Sequence, residues 1–330
     1  MNSQARQAAA ERAAYSIQRC LKPDVNGERS EPPAFQHDNR SVEYKITGWK
    51  LSEDRKRISF TDGMGIGTLK MLGTRDLTLY ELKLIKRVRI LRRADGDYVQ
   101  FCLDVHRSEP QPSTGKPLGL DVGLAKFYTD SNGNSVECPM FLRKAEKAIK
   151  REQRKLSRKV KGSKNRQKAR KRLARKHLKV QRQRKDFAIK LARCVVKSND
   201  FVVIEDLSVK NMVKNHCLAK SISDAGWSTF LAWLVYYGSV FGKPVIKVPP
   251  AYTSQDCSSC GTRVKKSLST RTHVCQCGCV LDRDYNAALN ILVKGLASIS
   301  LIYSPYPGAL GNGEGLPSAT LVEKEPLLVS

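Results

Sequence analysis

The chain has 330 residues, 41% of them hydrophobic and 7% aromatic, enough for roughly two domains with real cores and against wholesale disorder. Lys and Arg number 59 against 31 Asp and Glu, a formal net charge of +28. An enzyme of small neutral metabolites does not need that excess; it points to a polyanionic partner, nucleic acid first. The N-terminus, MNSQARQAAAERAAYS, lacks the apolar core of a signal peptide, and the longest mostly apolar stretch, 230–241, is too short to span a bilayer.

In chain order, residues 1–20 read as a helix, Ala-rich with spaced Arg and Gln, and 22–40 as a turn-rich linker. From Ser41 the period becomes two. SVEYKITGWKL, KRISFT, GTLKML, IKRVRILRR and YVQFCLDVH are expected strands of a small antiparallel β-barrel or sandwich over 41–110. PLGLDVGL, KFYTD and SVEC follow as three strands, the last two joined by Ser-Asn-Gly-Asn. Two long basic helices are expected over about 140–160 and 163–198, broken at Lys161-Gly162-Ser163. DFVVIEDL is an apolar strand ending in carboxylates. An amphipathic helix over 224–241 carries Trp227, Phe230, Leu231, Leu234 and Val235 at core spacing, and KPVIKVPP reads as another buried strand. A helix from Asp284 to Val293 closes the fold, and the tail over 298–330, rich in Gly, Pro and Ser, is expected to be disordered.

Three carboxylates stand out by context. Asp121 sits in LGLDVGL, Glu205 ends FVVIE, and Asp284 opens DYNAALNI. A carboxylate in an apolar strand is costly without positive compensation. Three from distant segments can converge on Mg²⁺, whose hard character suits carboxylate oxygens. The alternatives are strand-end acids paired with lysines and, for Asp284, a helix N-cap. The order of elements decides for the metal site. A strand with Asp, a hairpin, helices, a strand ending in Glu, a helix, a strand and a helix bearing Asp is the succession of a ribonuclease-H-like α/β fold.

Five of the ten cysteines fall between Cys257 and Cys279. Cys257-Ser-Ser-Cys260-Gly and the later Cys275-Gln-Cys277-Gly-Cys279 suit tetrahedral Zn²⁺ in a ribbon over 252–281. Glycine follows the second ligand of a knuckle, which selects Cys277; Cys275 is then its partner and Cys279 the spare, with His273 an alternative donor. Residues 143–185 hold 22 of the basic and 2 of the acidic residues. Like-charge repulsion at that density is relieved by a polyanion, and Lys and Arg of this kind grip phosphates and do not read base edges. Lys168, Arg170, Lys171, Arg172, Arg175 and Lys176 are the expected contacts.

With LGLDVGL at 118–124, HLKVQRQRKDFAIKLA at 177–192, VVIEDLSVKNM at 202–212, TSQDCSSCG at 253–261 and CGCVLDRDYNAALNIL at 277–292, the chain resembles the TnpB (OrfB) proteins of bacterial insertion sequences, over roughly 41–297. The resemblance implies a RuvC-like nuclease domain (117–251 and 282–297) with a zinc ribbon inserted before its last helix, and a wedge-like β-barrel ahead of it. It implies Asp121, Glu205 and Asp284 as catalytic Mg²⁺ ligands, and an RNA from the element's own end that guides cleavage of DNA. It also implies a helical lobe that is missing here, so that residues 1–40 are a helical remnant and linker and the chain is N-terminally truncated. The second knuckle, C-x-C, departs from the family's C-x₂-C. We expect a monomer in the cytoplasm, associated with the nucleoid. Two other functions are open: a cleavage-deficient nucleic-acid-binding product, and a strand-transferring transposase.

Overall fold

The structure, a computed structural model, describes residues 2–23, 29, 31–34, 40–61, 63, 65–267, 270–302 and 327–329. It divides into two compact units, residues 1–106 with 318–330 and residues 107–317.

The first unit opens with helix α1 (Ser3–Leu21), whose first turn is capped by the Asn2 side chain accepting from the Gln4 N–H at 2.8 Å. Strands β1 (Ser41–Tyr44), β2 (Trp49–Leu51), β3 (Arg57–Phe60), β4 (Thr68–Leu72), β5 (Ile85–Arg92) and β6 (Asp97–Leu103) follow. The single strand expected over 41–51 is two, because Gly48 takes a left-handed φ of +96° and breaks the run. All pairings are antiparallel, in the order β1-β5-β6, then a C-terminal strand Leu327–Val329, then β4-β3-β2. Alternate residues supply one core, with Tyr44, Ile58, Val88 and Val99 at 1% exposure or less. Glu43 is also buried and stays ionised by receiving hydrogen bonds from Arg87 and Arg89.

The expected antiparallel β domain is therefore present as a seven-stranded sheet with β1 and β2 at its two ends. The tail expectation is corrected in part. The last helix runs on to Ile302, and Leu327–Val329 are ordered as a strand because both their edges pair, with β4 and with β6. Residues 303–326 and 330 lie outside the described residues, as do 24–28, 30 and 35–39 of the expected linker.

The second unit is α/β. Strands β7 (Pro117–Val122), β8 (Lys126–Asp130) and β9 (Ser135–Glu137) form an antiparallel meander. The β8–β9 turn is held by the Asp130 carboxylate, which accepts from the Asn132 and Asn134 N–H groups, with Gly133 at φ +83°. Helices α2 (Phe141–Ser157) and α3 (Lys164–Ser198) break where expected: Gly162 has φ +85°, and the Ser163 hydroxyl caps α3 by accepting from Arg166 N–H. Next come β10 (Phe201–Glu205), α4 (Val209–Met212), α5 (Ala219–Ala225), α6 (Trp227–Phe241), β11 (Val245–Val248), β12 (Thr272–Val274), β13 (Val280–Asp282) and α7 (Arg283–Ile302). The helix expected over 224–241 is two, parted at Gly226 with φ +72°. Trp227, Phe230 and Leu234 are buried as expected, but Val235 faces out at 42% exposure, and Tyr237, Val240 and Phe241 complete the buried face.

The sheet order is β11-β10-β7-β8-β9, with β7, β10 and β11 parallel. All five residues of β10 are buried, the apolar run Phe201–Ile204 and then Glu205, as in a strand covered on both faces. β11 stands at the sheet edge, so of its residues only Val248 is buried, which corrects the expectation of a second buried strand. Leu118, Leu120, Val202 and Ile204 pack into one core with α3 and α6. On the opposite face Phe201, Val203 and Val248 meet Ile291 of α7. Close approach there depends on two glycines. A Cβ on Gly119 would lie 2.3 Å from the Ala288 carbonyl oxygen, and one on Gly295 would lie 2.4 Å from the Val203 side chain. These glycines let α7 lie directly on β7 and β10. Among the described residues, no helix is long and apolar enough to cross a membrane.

Candidate metal centres and basic surface

Asp121 follows Gly119 by two residues, so the pleat aims both at the α7 face of the sheet. Phe201 and Val203 use the same face of β10, and Glu205 continues it. The parallel register pairs Val203 with Gly119 and Ile204 with Leu120, so one further step sets Glu205 beside Asp121. Asp284 lies in the first turn of α7. Three elements thus deliver the three acids to one end of the sheet.

Their environments differ. Asp121 is half-buried, and no side-chain hydrogen bond or ion pair engages its carboxylate among the described residues; its pKa is held well above the usual carboxylate range by desolvation first and then by the charges of Glu205 and Asp284. Glu205 is raised by burial, against the lowering effect of a hydrogen bond from the Thr253 hydroxyl to Oε1 at 2.6 Å and of the Lys294 charge. Asp284 Oδ1 accepts from Arg283 Nε at 3.2 Å, and Arg271 lies 3.9 Å from its Oδ2. The N-cap role open to Asp284 belongs instead to exposed Asp282, whose Oδ1 accepts from the Asp284 and Tyr285 N–H groups at 2.9 and 3.2 Å. Asp284 is thereby free of the helix end. Nor are the acids simply paired with lysines: arginines contact Asp284 and a threonine contacts Glu205.

The ribbon consists of the β12–β13 hairpin and two knuckles. Gly261 accompanies Cys260 and Gly278 accompanies Cys277, each with a left-handed φ, +76° and +87°. The Gly261 N–H donates to the Cys257 carbonyl at 2.8 Å, and the Gly278 N–H to the Cys275 carbonyl at 3.0 Å. Both knuckles turn back by one device, although their cysteine spacing differs. The ligand atoms of Cys257, Cys260, Cys275 and Cys277 lie within 4.8 Å of one another, the one such group among the described residues. A four-thiolate set of this kind can bind a metal such as zinc. The carboxylates do not form so tight a group. Hydrogen bonds from the Thr262 hydroxyl and N–H pull the Cys260 thiol down to about 6, towards the thiolate form that ligates. Cys275, despite a backbone hydrogen bond from Cys277, is pushed up to about 12 by burial and the neighbouring thiols. Cys279 stays outside the group. His273, the alternative donor, is fully buried beside Lys266 and also outside it, and its Nε2 has no hydrogen-bond partner among the described residues.

The ribbon is rooted on α7. Asn286 Nδ2 donates to the Asp256 carbonyl at 2.8 Å and its Oδ1 accepts from Ser258 N–H at 3.0 Å, so the two residues flanking Cys257 are both tied to one side chain. Asn290 Nδ2 donates to the carbonyls of Thr253 and Asp256 at 2.9 and 2.7 Å. The sequence reading missed Thr253, the capping role of Asp282, Arg283 and this amide pair. The visible signal was two asparagines four apart, on one face of an otherwise apolar helix.

On α3, Ala169, Leu173 and Val180 form the thin buried stripe, and Lys168, Arg170, Lys171, Arg172, Arg175 and Lys176 are all exposed. Arg184 is turned inward to Asp224, which also accepts from the Leu142 and Arg143 N–H groups and so fastens the start of α2. The basic surface therefore stands on a braced pair of helices.

Residues 100–216 match a family model described as "Probable transposase", named OrfB_IS605, and residues 227–291 match the "Cas12f1-like, TNB domain" model. A Streptomyces pristinaespiralis protein provisionally named an RNA-guided DNA endonuclease is 41% identical over 57% of this chain and 48% of its own. InsQ of Escherichia coli (strain K12), provisionally named in the same way, is 31% identical over 82% of this chain and 70% of its own. A solved Cas12f1–sgRNA–target DNA complex aligns over 76% of this chain and 59% of that one, at 16% identity and a TM-score of 0.47. The chain thus spans about half the length of the Streptomyces relative.

Proposed function

The chain belongs to the TnpB (OrfB) family of insertion-sequence proteins, and from that premise we propose that it is a transposon-encoded, RNA-guided DNA endonuclease with a Mg²⁺-dependent RuvC-like site. The sheet order, with an antiparallel meander leading into parallel β10 and β11, supports the ribonuclease-H-like reading. Asp121, Glu205 and Asp284 are the metal ligands. The observation that carries this is Asp121, half-buried, with no side-chain partner among the described residues, and pushed up first by desolvation and then by the charges of the other two. Negative charge gathered around a carboxylate that has no cationic partner of its own is what a divalent cation relieves, and an all-carboxylate donor set suits Mg²⁺.

When bound, Mg²⁺ would activate water and stabilise the leaving oxygen of a phosphodiester. The protein's own part is positional. The α7–sheet packing holds Asp284 near the strand ends, Thr253 orients Glu205, and Arg283 and Arg271 flank Asp284. The cysteine group holds structural Zn²⁺, which keeps the ribbon folded against α7. The exposed cations of α3 grip nucleic-acid phosphates, and guide RNA and target DNA are the partners.

The test is guide-dependent cleavage of a matched plasmid target by the chain with its RNA. Asp121→Ala, Glu205→Ala and Asp284→Ala should each lower cleavage by about a thousandfold or more, as loss of several kcal/mol of transition-state charge stabilisation requires, while RNA binding persists. Wild-type cutting by one variant removes that residue from the site. Binding without cleavage by the unmutated chain would identify a binding product, and joined strands would identify a transposase in the strict sense.

A further inference from the structure

We propose that Thr253 is a positioning residue for the acidic centre: it fixes the Glu205 carboxylate from the root of the ribbon, so that the cysteine cluster and the acid site share one hydrogen-bonded frame. The proposal rests on the assignment of Glu205 as a metal ligand.

Thr253 is 4% exposed, and its hydroxyl reaches two acceptors, Glu205 Oε1 at 2.6 Å and the Pro250 carbonyl at 3.2 Å. A hydroxyl has one proton. The shorter contact, to the charged acceptor, is the stronger hydrogen bond and takes it. Glu205 Oε1 is thereby pinned, and the carboxylate's remaining lone pairs are left for a cation.

The donor is itself held from two sides. Its carbonyl accepts from Asn290 of α7. The residue before it, Tyr252, adopts a left-handed φ of +64°, one of three non-glycine residues to do so among the described residues. Such a conformation in an aromatic residue persists only where the surroundings impose it. Here Arg263 lies over the Tyr252 ring, 3.5 Å from its centroid, and donates to Asp256 at 2.9 Å. Lys294, one turn beyond Asn290, donates to the Ala251 carbonyl at 2.6 Å. Residues 251–258 are thus clamped to Asn286, Asn290 and Lys294 on one stripe of α7. Cys257 sits at one end of the clamped segment and Thr253 near the other. An outer partner that orients a metal-ligating carboxylate commonly changes metal affinity about 10- to 100-fold when removed.

The experiment measures Mn²⁺ binding by electron paramagnetic resonance, zinc content by elemental analysis, and cleavage against Mg²⁺ concentration, for the RNA-bound wild type, Thr253→Val, Thr253→Ala, Thr253→Ser and Glu205→Gln. Thr253→Val and Thr253→Ala should keep one zinc per chain and normal RNA binding, yet bind Mn²⁺ about tenfold more weakly and need about tenfold more Mg²⁺ for half-maximal cleavage. Thr253→Ser, which keeps the hydroxyl, should restore both to within about twofold. If Glu205→Gln weakens Mn²⁺ binding while Thr253→Val and Thr253→Ala bind it normally, the positioning role is overturned and the acid site stands. If Glu205→Gln itself binds Mn²⁺ normally, the assignment of the acid site falls, and this proposal with it. Loss of zinc from both Thr253→Ala and Thr253→Ser would make Thr253 a folding residue of the ribbon and would overturn the proposal too.

Discussion

The four sulfurs of the ribbon come from one short stretch, Cys257 to Cys277, and lie within 4.8 Å of one another. Asp121, Glu205 and Asp284 come from β7, β10 and α7, and are drawn together only by packing that depends on Gly119 and Gly295. The thiols are a local device: two backbone turns, each with a left-handed glycine, bring together the cysteines of each knuckle. The carboxylates are a global device, whose cost is visible in the raised pKa of Asp121, set by desolvation first and then by the charges of Glu205 and Asp284, and is borne by the rest of the fold. A local site is expected to lose its own fold when its metal goes. A global site should keep its fold when a ligand is removed, and even gain stability.

The largest effect should come from breaking the local device. Cys257→Ser should lower zinc from one per chain to none, because structural zinc contributes on the order of 10 kcal/mol to the folding of such small modules. The ribbon should then lose protection from proteolysis and hydrogen exchange at residues 252–281. Cleavage should fall with it, because Asp256 and Ser258, on either side of Cys257, tie the ribbon to Asn286 on α7. A folded ribbon in Cys257→Ser without zinc would show that the thiols are not what organises it.

Replacing a carboxylate should do the reverse. The folded-state pKa of Asp121 is raised, so the native state holds that proton more tightly than the unfolded chain does. Its contribution is fully present below the unfolded value of about 4 and is lost as pH rises through the raised folded value. In Mg²⁺-free buffer, Asp121→Asn should therefore be more stable than wild type at pH 7, by an urea midpoint shift on the order of 0.5 M. The gap should narrow as pH falls towards 4. Added Mg²⁺ should close it from the other side, by stabilising only the wild type. An unchanged midpoint across pH 4–8 would mean that Asp121 carries no uncompensated charge.

The same contrast explains what was legible in the sequence. The cysteine cluster could be read from spacing and from the glycine after each second cysteine, since a local device writes itself into consecutive residues. The helices α2 and α3 and the apolar strand β10 were legible for the same reason, through period and composition. The acids were legible only through the order of elements and the family's motifs, because nothing local distinguishes Asp121 from a strand-end acid. What escaped depended on side-chain partners from remote segments: Thr253 on Glu205, Arg271 beside Asp284, and the Asn286–Asn290 pair under the ribbon. Asp282 escaped for a different reason. Two acids flank Arg283, and sequence alone does not say which one caps the helix; the hydrogen bonds to Asp282 do. The split of 41–51 at Gly48 and the C-terminal strand between β4 and β6 were equally out of reach, since a backbone bend and an edge-to-edge pairing leave no periodic trace.

The smallest expected effect is the most discriminating for the local site. Three cysteines, Cys275, Cys277 and Cys279, compete for two places, and Cys279 is close enough to Cys257 for its thiol to be pushed up by burial and by that neighbour. Its backbone already has a task in the knuckle: the Cys279 carbonyl accepts from the Cys275 N–H at 2.9 Å. Serine at 279 preserves that carbonyl and nearly the same volume while removing the sulfur. Cys279→Ser should accordingly retain one zinc per chain and unchanged thermal stability, whereas Cys275→Ser should lose the metal. The opposite result, zinc lost from Cys279→Ser and kept by Cys275→Ser, would move the second knuckle's ligand pair to Cys277 and Cys279. It would also mean that the turn at Gly278 lies between two ligands rather than after the second. The two knuckles would then no longer be built by the same device, and the locality argued from their common glycine would hold for the first alone.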